Sequence, residues 1–340
     1  MNGVKRSFKL STFLISTGIP SFDELLGGGV ASGSIILVEP DFHQTYAKQL
    51  LNLFVAEGIL SGHSVFYGAT ETLDRLLRKL PDNITPVDEV NEETTDLKIA
   101  WRYQNVSNTK NLNHFTSNLG HHFNMTIPMD AAAQISEKNV STSSFQPDSK
   151  KTLQTNLVSL IQKFIKFRSN TKVSSGIQRI VINSCGSPMW GNCKDTQQFY
   201  RSMLNFFATL HLLIQNSHST VFVTLPAAKL PPGLFTRISH YCDYIFQVQG
   251  LSDQIQANPV YSEYDGLLTV YRIPWLIGGN TLEPAFRSTT LEWAFKMKRH
   301  QLIVQHLHLP PCLSDTVNRS NTSETIFTTC SKFHDKKLDF

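Results

Sequence analysis

The chain has 340 residues, 41% of them hydrophobic and 17% charged, with 31 lysines and arginines against 27 aspartates and glutamates. That length and mixture suit one large globular domain or two small ones. A net charge of +4 is too small for a stand-alone nucleic-acid binder, so any such binding needs a local patch.

No segment approaches the roughly 20 apolar residues of a membrane span, and no membrane partner is expected. Near the start, Lys5 and Arg6 are followed by Lys9, Ser11 and Thr12, which interrupt any apolar run and argue against a targeting signal. The cysteines at 185, 193, 242, 312 and 330 form no CxxC pair. They read as free thiols in a reducing compartment, the cytoplasm or also the nucleus. The histidines show no HExxH or similar spacing, so neither a metal nor a cofactor is expected.

In chain order, "STGIPSFDELLGGGVASG" is a glycine-rich entry to "SIILVE", a short apolar run that suits a strand buried on both faces. Ala47, Leu50, Leu51, Phe54, Val55 and Gly58 then recur on one face of a helix that starts near Gln44. "HSVFYGA" (63–69) is a second strand, which completes a βαβ unit and predicts a parallel sheet. "TLDRLLRKLP" (72–81) is a short helix stopped by Pro81. Residues 82–96 are acidic and read as a solvated insertion; "LKIAWRYQ" (97–104) alternates strictly and reads as a half-buried strand. Residues 136–150 are poor in apolar side chains and read as a second mobile insertion.

A second strand–helix series follows. Leu153, Leu157, Leu160, Ile161 and Phe164 mark a helix, "IQRIVINS" (177–184) a buried strand, and Phe199 to Ile214 a longer helix. "TVFVTLP" (220–226) is another strand, and a short helix lies near 233–241. "DYIFQVQG", "GLLTVYRIP" and "LEWAFKMKRHQLIVQHL" are β segments that predict antiparallel hairpins added to the parallel sheet. Residues 1–15 read as an extension, 16–311 as one α/β domain, and 312–340 as a polar, disordered tail.

The turn after "SIILV" sits where a nucleotide-binding protein carries GxxxxGK[ST]. Glycines let backbone N–H groups approach phosphate, Lys neutralises charge, and Ser or Thr holds Mg²⁺. In that register the glycines are replaced by Glu39 and Gln44, the lysine by Thr45 and the hydroxyl by Tyr46. A lysine about 4 Å from a phosphate is worth roughly 4 kcal/mol at an effective dielectric of 20. That attraction is missing, and Glu39 and Asp41 add repulsion of similar size. Pro40 has no N–H to give. After Ile180-Val181-Ile182, where such an ATPase places a metal-binding Asp, this chain has neutral Asn183. Glu71, just past the second strand, is either a surface residue or the remnant of a water-activating carboxylate.

"STGIPSFDELLGGG", "SIILVEPDFHQTYAKQLLNLFVAEGI", "LKIAWRYQN" and "LIVQHLHLPP" together resemble the PAXNEB family, that of the fourth subunit of Elongator. The similarity runs in order from Ser16 to Pro311. It implies an α/β, RecA-like P-loop NTPase-type fold with degenerate Walker motifs, a mostly parallel sheet and C-terminal antiparallel hairpins. It also implies a hetero-hexameric ring with two sister RecA-like subunits, contact with the catalytic subcomplex, tRNA binding, and a non-catalytic role in wobble-uridine modification. In RecA-like rings, nucleic acid meets the loops that here follow Ser184 and Pro226. The first holds Trp190 and Lys194, the second Lys229 and Arg237. Trp190 either stacks on a base or packs locally. In "KMKRH", Lys296, Lys298 and His300 share one face of a strand, which is either a solvated stripe or an RNA-facing one. Two other readings stand beside this one: a divergent RecA-like ATPase that uses Glu71, and an adaptor with no RNA role.

Overall fold

The structure, a computed structural model, describes residues 3–7, 12–84, 119–170, 176–215, 217–227, 230–251, 261–278, 281–284 and 292–307. The chain begins with β1 (Val4–Ser7), β2 (Thr12–Ile15), α1 (Pro20–Leu25) and β3 (Val30–Ala31), whose strands form a small antiparallel sheet. Next come β4 (Ile35–Glu39), α2 (Thr45–Leu60), β5 (Ser64–Gly68), α3 (Leu73–Leu77), β6 (Pro81–Asn83), β7 (Phe123–Pro128), α4 (Ala131–Glu137) and β8 (Thr142–Phe145). The second series is α5 (Leu153–Asn170), β9 (Gln178–Ile182), α6 (Thr196–Ile214), β10 (Ser219–Thr224), α7 (Leu234–Ser239) and β11 (Tyr244–Gly250). It ends with β12 (Gly266–Arg272), β13 (Trp275–Gly278), β14 (Thr281–Pro284), β15 (Glu292–Lys298) and β16 (Gln301–His306).

The main sheet has nine strands in the order β16-β15-β12-β11-β4-β10-β9-β5-β8. Strands β8, β5, β9, β10, β4 and β11 run parallel, and β12, β15 and β16 extend them antiparallel. The expected mostly parallel sheet with C-terminal hairpins is therefore the one found. Central strands such as Ile35-Ile36-Leu37-Val38 are buried on both sides, because helices cover both faces. α1 and α2 pack on one face through Phe22, Leu51 and Phe54; Phe22 meets Phe246 and Trp293, and Phe54 meets Phe222. α5, α6 and α7 pack on the other through Leu157, Phe164, Phe207 and Ile238. Fully burying each of these large apolar side chains stabilises the fold by about 1.5–3 kcal/mol.

Three sequence expectations change. Residues 136–150 are not a loop: Glu137 ends α4, and Thr142–Phe145 is the parallel edge strand β8, paired with β5. Val140 and Phe145 are buried and anchor that stretch, which polar composition concealed. The insertion at 82–96 starts as β6, paired with β7, and residues 97–104 lie outside the described residues. "LEWAFKMKRHQLIVQHL" is a hairpin, β15–β16, turning at Arg299 and His300 with φ of 46° and 62°. His300 therefore leaves the strand, and no stripe of Lys296, Lys298 and His300 exists.

A buried polar cluster ties the far end of α2 to the N-terminal segment. Arg179 on β9 is fully buried; its Nε donates to His63 Nδ1 at 3.0 Å and its Nη1 to the Phe54 carbonyl at 3.0 Å. Gly58 makes room for it, since a Cβ there would lie 2.6 Å from Arg179 Cδ. Burial pulls the Arg179 guanidinium down to about 10, against the pull of Glu57 and Asp23, so it stays charged at neutral pH. Burial also works to raise Glu57, but bonds from His121 and the charge of Arg179 outweigh it and hold the carboxyl below its usual value. Asp23 accepts bonds from Ser16 Oγ at 2.5 Å, Thr17 N at 2.8 Å and Thr17 Oγ1 at 2.7 Å.

Burial nevertheless pushes the Asp23 carboxyl up to about 7 from 3.8, with Ser16 and Thr17 opposing. The folded chain then binds this proton more tightly than the unfolded one. Its stability contribution is complete below 3.8 and is lost as pH rises through about 7. Urea unfolding from pH 4 to 8 should show wild type losing stability relative to Asp23→Asn, by at most about 1.4 kcal/mol per pH unit.

Candidate functional site

The C-terminal ends of β4, β9 and β10 meet the first turn of α2, the place where open α/β sheets hold ligands. An α-helix begins with unpaired N–H groups and a partial positive charge, and phosphate-binding folds answer these with phosphate. Here the chain answers them itself. Asp41 Oδ2 accepts from Thr45 N at 2.9 Å, and Asp41 Oδ1 accepts from Tyr46 N and Ala47 N, both at 3.1 Å. The first three amides of α2 are thus bonded to a buried carboxylate.

The turn geometry makes this possible. Gln44 adopts φ 57°, a left-handed conformation, and its N–H donates to the Asp41 carbonyl at 2.9 Å. This folds Asp41 back over the helix start. Phe42, at the tip, is 93% exposed. Gln44 Oε1 accepts from Ser184 Oγ at 2.7 Å, which ties the turn to the end of β9. There Asn183 Oδ1 accepts from Thr224 Oγ1 at 2.8 Å, and Thr224 Oγ1 accepts from Ser184 N at 2.6 Å. The position of a metal-binding carboxylate is therefore an amide engaged with the neighbouring strand.

The remaining positions are equally committed. Tyr46 turns its ring onto Phe295, with centroids 4.8 Å apart, and burial, Asp265 and Asp41 all raise its phenol above the usual value. Burial raises the Glu39 carboxyl. Lys48, a turn further along α2, reaches Glu71 Oε2 at 2.6 Å. Arg75 and Lys79 hold Glu71 Oε1 at 3.2 and 3.0 Å. Burial alone would raise Glu71, but Lys48 and Lys79 outweigh it and hold it below its usual value. A carboxylate engaged with three cations is a weak proton acceptor, which counts against a water-activating role.

The RNA candidates separate. Trp190 is fully buried, with Nε1 donating to the Asn183 carbonyl at 3.3 Å and its ring 6.4 Å from that of Phe145. It is not available to stack on a base. Gly186 and Gly191, with φ of 73° and 115°, turn its loop back onto the sheet. Lys194 is exposed, and Arg237 lies over the Tyr200 ring at 5.4 Å. Lys229 lies outside the described residues. Lys296 and Lys298 sit on β15, on the other side of β4 from β9 and β10. Lys296 is bound by Glu263 at 3.6 Å and lies over the Tyr264 ring at 5.6 Å.

Comparisons with known proteins agree with the fold. The profile of the PAXNEB protein family matches residues 1–340. A curated relative from Xenopus laevis, called Elongator complex protein 4, is 33% identical over 95% of this chain and 86% of its own length. One of that name from Homo sapiens is 31% identical over 94% of this chain and 82% of its own. The solved KaiC-like protein of Pyrococcus horikoshii covers 86% of this chain and 99% of its own with a TM-score of 0.51. At 12% identity, that likeness speaks for a shared RecA-like fold alone.

If Asp41 is the anion that completes α2, Asp41→Ala should lower stability by about 1–2 kcal/mol in urea unfolding, with far-UV circular dichroism otherwise unchanged.

Proposed function

The chain belongs to the PAXNEB family, and on that premise we propose that it is a non-catalytic, RecA-like subunit of the Elongator complex. It joins two sister RecA-like subunits in a hetero-hexameric ring, in the cytoplasm and also the nucleus. The ring meets the catalytic subcomplex and helps hold tRNA while the wobble uridine is modified. The observation that carries this reading is the Asp41 carboxylate on the amides of α2. A chain that closes its own phosphate site keeps the fold of an ATPase without the means to grip a nucleotide. What remains of use is a rigid sheet, two helical layers and their surfaces.

Lys194, in the loop after β9, and Arg237, on α7 after β10, are the cations that would meet phosphate in this reading, joined by Lys229 of the second loop. Lys298 is a further candidate on the hairpin. Lys296 is a weaker one, because Glu263 already neutralises it. The role is electrostatic positioning of RNA rather than base reading, since Trp190 is enclosed.

Co-expression with the two sister subunits followed by native mass spectrometry tests the assembly. The expected result is a six-membered particle with two copies of each chain. Isolated monomers across a range of protein and salt concentrations would overturn the ring.

A further inference from the structure

The charges are distributed unevenly over the fold. Of the chain's 31 basic and 27 acidic residues, eleven basic and one acidic, Asp195, fall between Ser149 and Cys242. This stretch builds α5, α6 and α7, the helical layer on one face of the sheet. Lys150, Lys151, Lys163, Lys166, Lys194 and Arg201 are exposed there. Among the described residues none of these six is in an ion pair. In the opposite layer, Lys48, Arg75 and Lys79 all converge on Glu71.

Carboxylates are missing where helix physics favours them. The helix dipole stabilises Asp and Glu in a first turn. α1 has Asp23 there and α3 has Asp74, while α2 and α4 have none and Asp130 only caps α4. α5, α6 and α7 have none in the first turn. The two carboxylates nearby are used locally: Asp195 caps α6 through Gln198 N, and Asp148 accepts from Lys150 N at 3.0 Å. The layer keeps a positive excess, which repels basic surfaces and attracts polyanions and acidic surfaces.

The layout is continuous. Leu153 N donates to the Asn192 carbonyl at 3.1 Å and Asn192 N to the Lys151 carbonyl at 3.3 Å, so the start of α5 is stitched to the loop that carries Lys194. A surface groove of about 460 Å³, lined by Ser187, Asn192, Lys194, Thr196, Phe199 and Pro231, opens there. From Lys151, α5 carries the charge on to Lys166, about 22 Å away at 1.5 Å per residue.

We propose that the outer side of α5, from Lys150 and Lys151 to Lys163 and Lys166, is a phosphate-backbone contact for RNA. It lies outside the loops after β9 and β10. It rests on the RNA-binding part of the function proposed above and adds the path that the strand takes away from those loops. A regularly charged backbone matches single-sign charge spread along a helix, and needs no shaped pocket. Val158, between the lysine pairs, and Ile165, within the second, are 47% and 45% exposed, so an acidic protein partner is the competing occupant that the test must separate.

The test is fluorescence anisotropy of a labelled tRNA transcript with the purified full chain across a salt series. Lys151→Glu/Lys166→Glu is compared with Lys5→Glu/Arg78→Glu, an equal charge change at exposed sites outside the layer. The first pair should weaken binding about tenfold or more and reduce the log–log salt slope by about two, while the control keeps the wild-type slope. Lys151→Gln/Lys166→Gln should lower the slope in the same direction. Equal losses in variant and control, or none in the variant, would overturn the α5 path and leave RNA binding standing. No wild-type binding at low salt would overturn RNA binding by this chain, and this path with it. Lost co-purification with the sister subunits at unchanged tRNA affinity would overturn the proposal in favour of an acidic protein partner.

Discussion

The amides at the start of α2 need an anion, and the chain supplies one from three residues before the turn closes. Asp41 bonds Thr45, Tyr46 and Ala47 at distances of 2.9 to 3.1 Å. A phosphate in the same place would compete with a carboxylate that is already covalently present and pays no translational entropy on binding. It would also face a like charge within a few ångströms, roughly 4 kcal/mol of repulsion at an effective dielectric of 20. The place where open α/β sheets hold ligands is here an internal joint, with Gln44–Ser184 and Asn183–Thr224 locking the strand ends around it.

That joint completes the start of α2 from within the chain. α2 runs between the sheet and the elements above it, and its buried residues from Leu50 to Leu60 are core for both. At one end Asp41 satisfies the helix; at the other, Glu57, Arg179, His121 and Asp23 do comparable work with buried charge. Neither end depends on a bound molecule. Selection can then act on the outer surfaces, where the acid-poor layer of α5, α6 and α7 is the most one-sided.

Much of the fold was legible in the sequence because apolar periodicity and glycine turns report local structure directly. β4, α2, β5, β9, α6 and β10 all lie where their patterns put them. The misses have physical causes. β8 is an edge strand built from Thr142, Ser143 and Ser144, and its pairing with β5 comes from backbone bonds that composition does not record. Trp190 stood open between stacking on a base and packing locally, and the glycines of its loop fold it inward. Asp41 was legible as a repulsive charge but not as a cap, because it reaches the helix from beyond the usual capping position through the left-handed Gln44. The basic layer was hidden by averaging: a net charge of +4 for the chain conceals a long stretch with a single carboxylate.

The central claim is that Asp41 has replaced phosphate at α2. Isothermal titration calorimetry of the full chain with Mg²⁺ and ATP at millimolar concentration tests it most directly. The account predicts no saturable heat. Saturable binding to wild type that is abolished by Lys48→Ala, on the same first turns of α2, would contradict it.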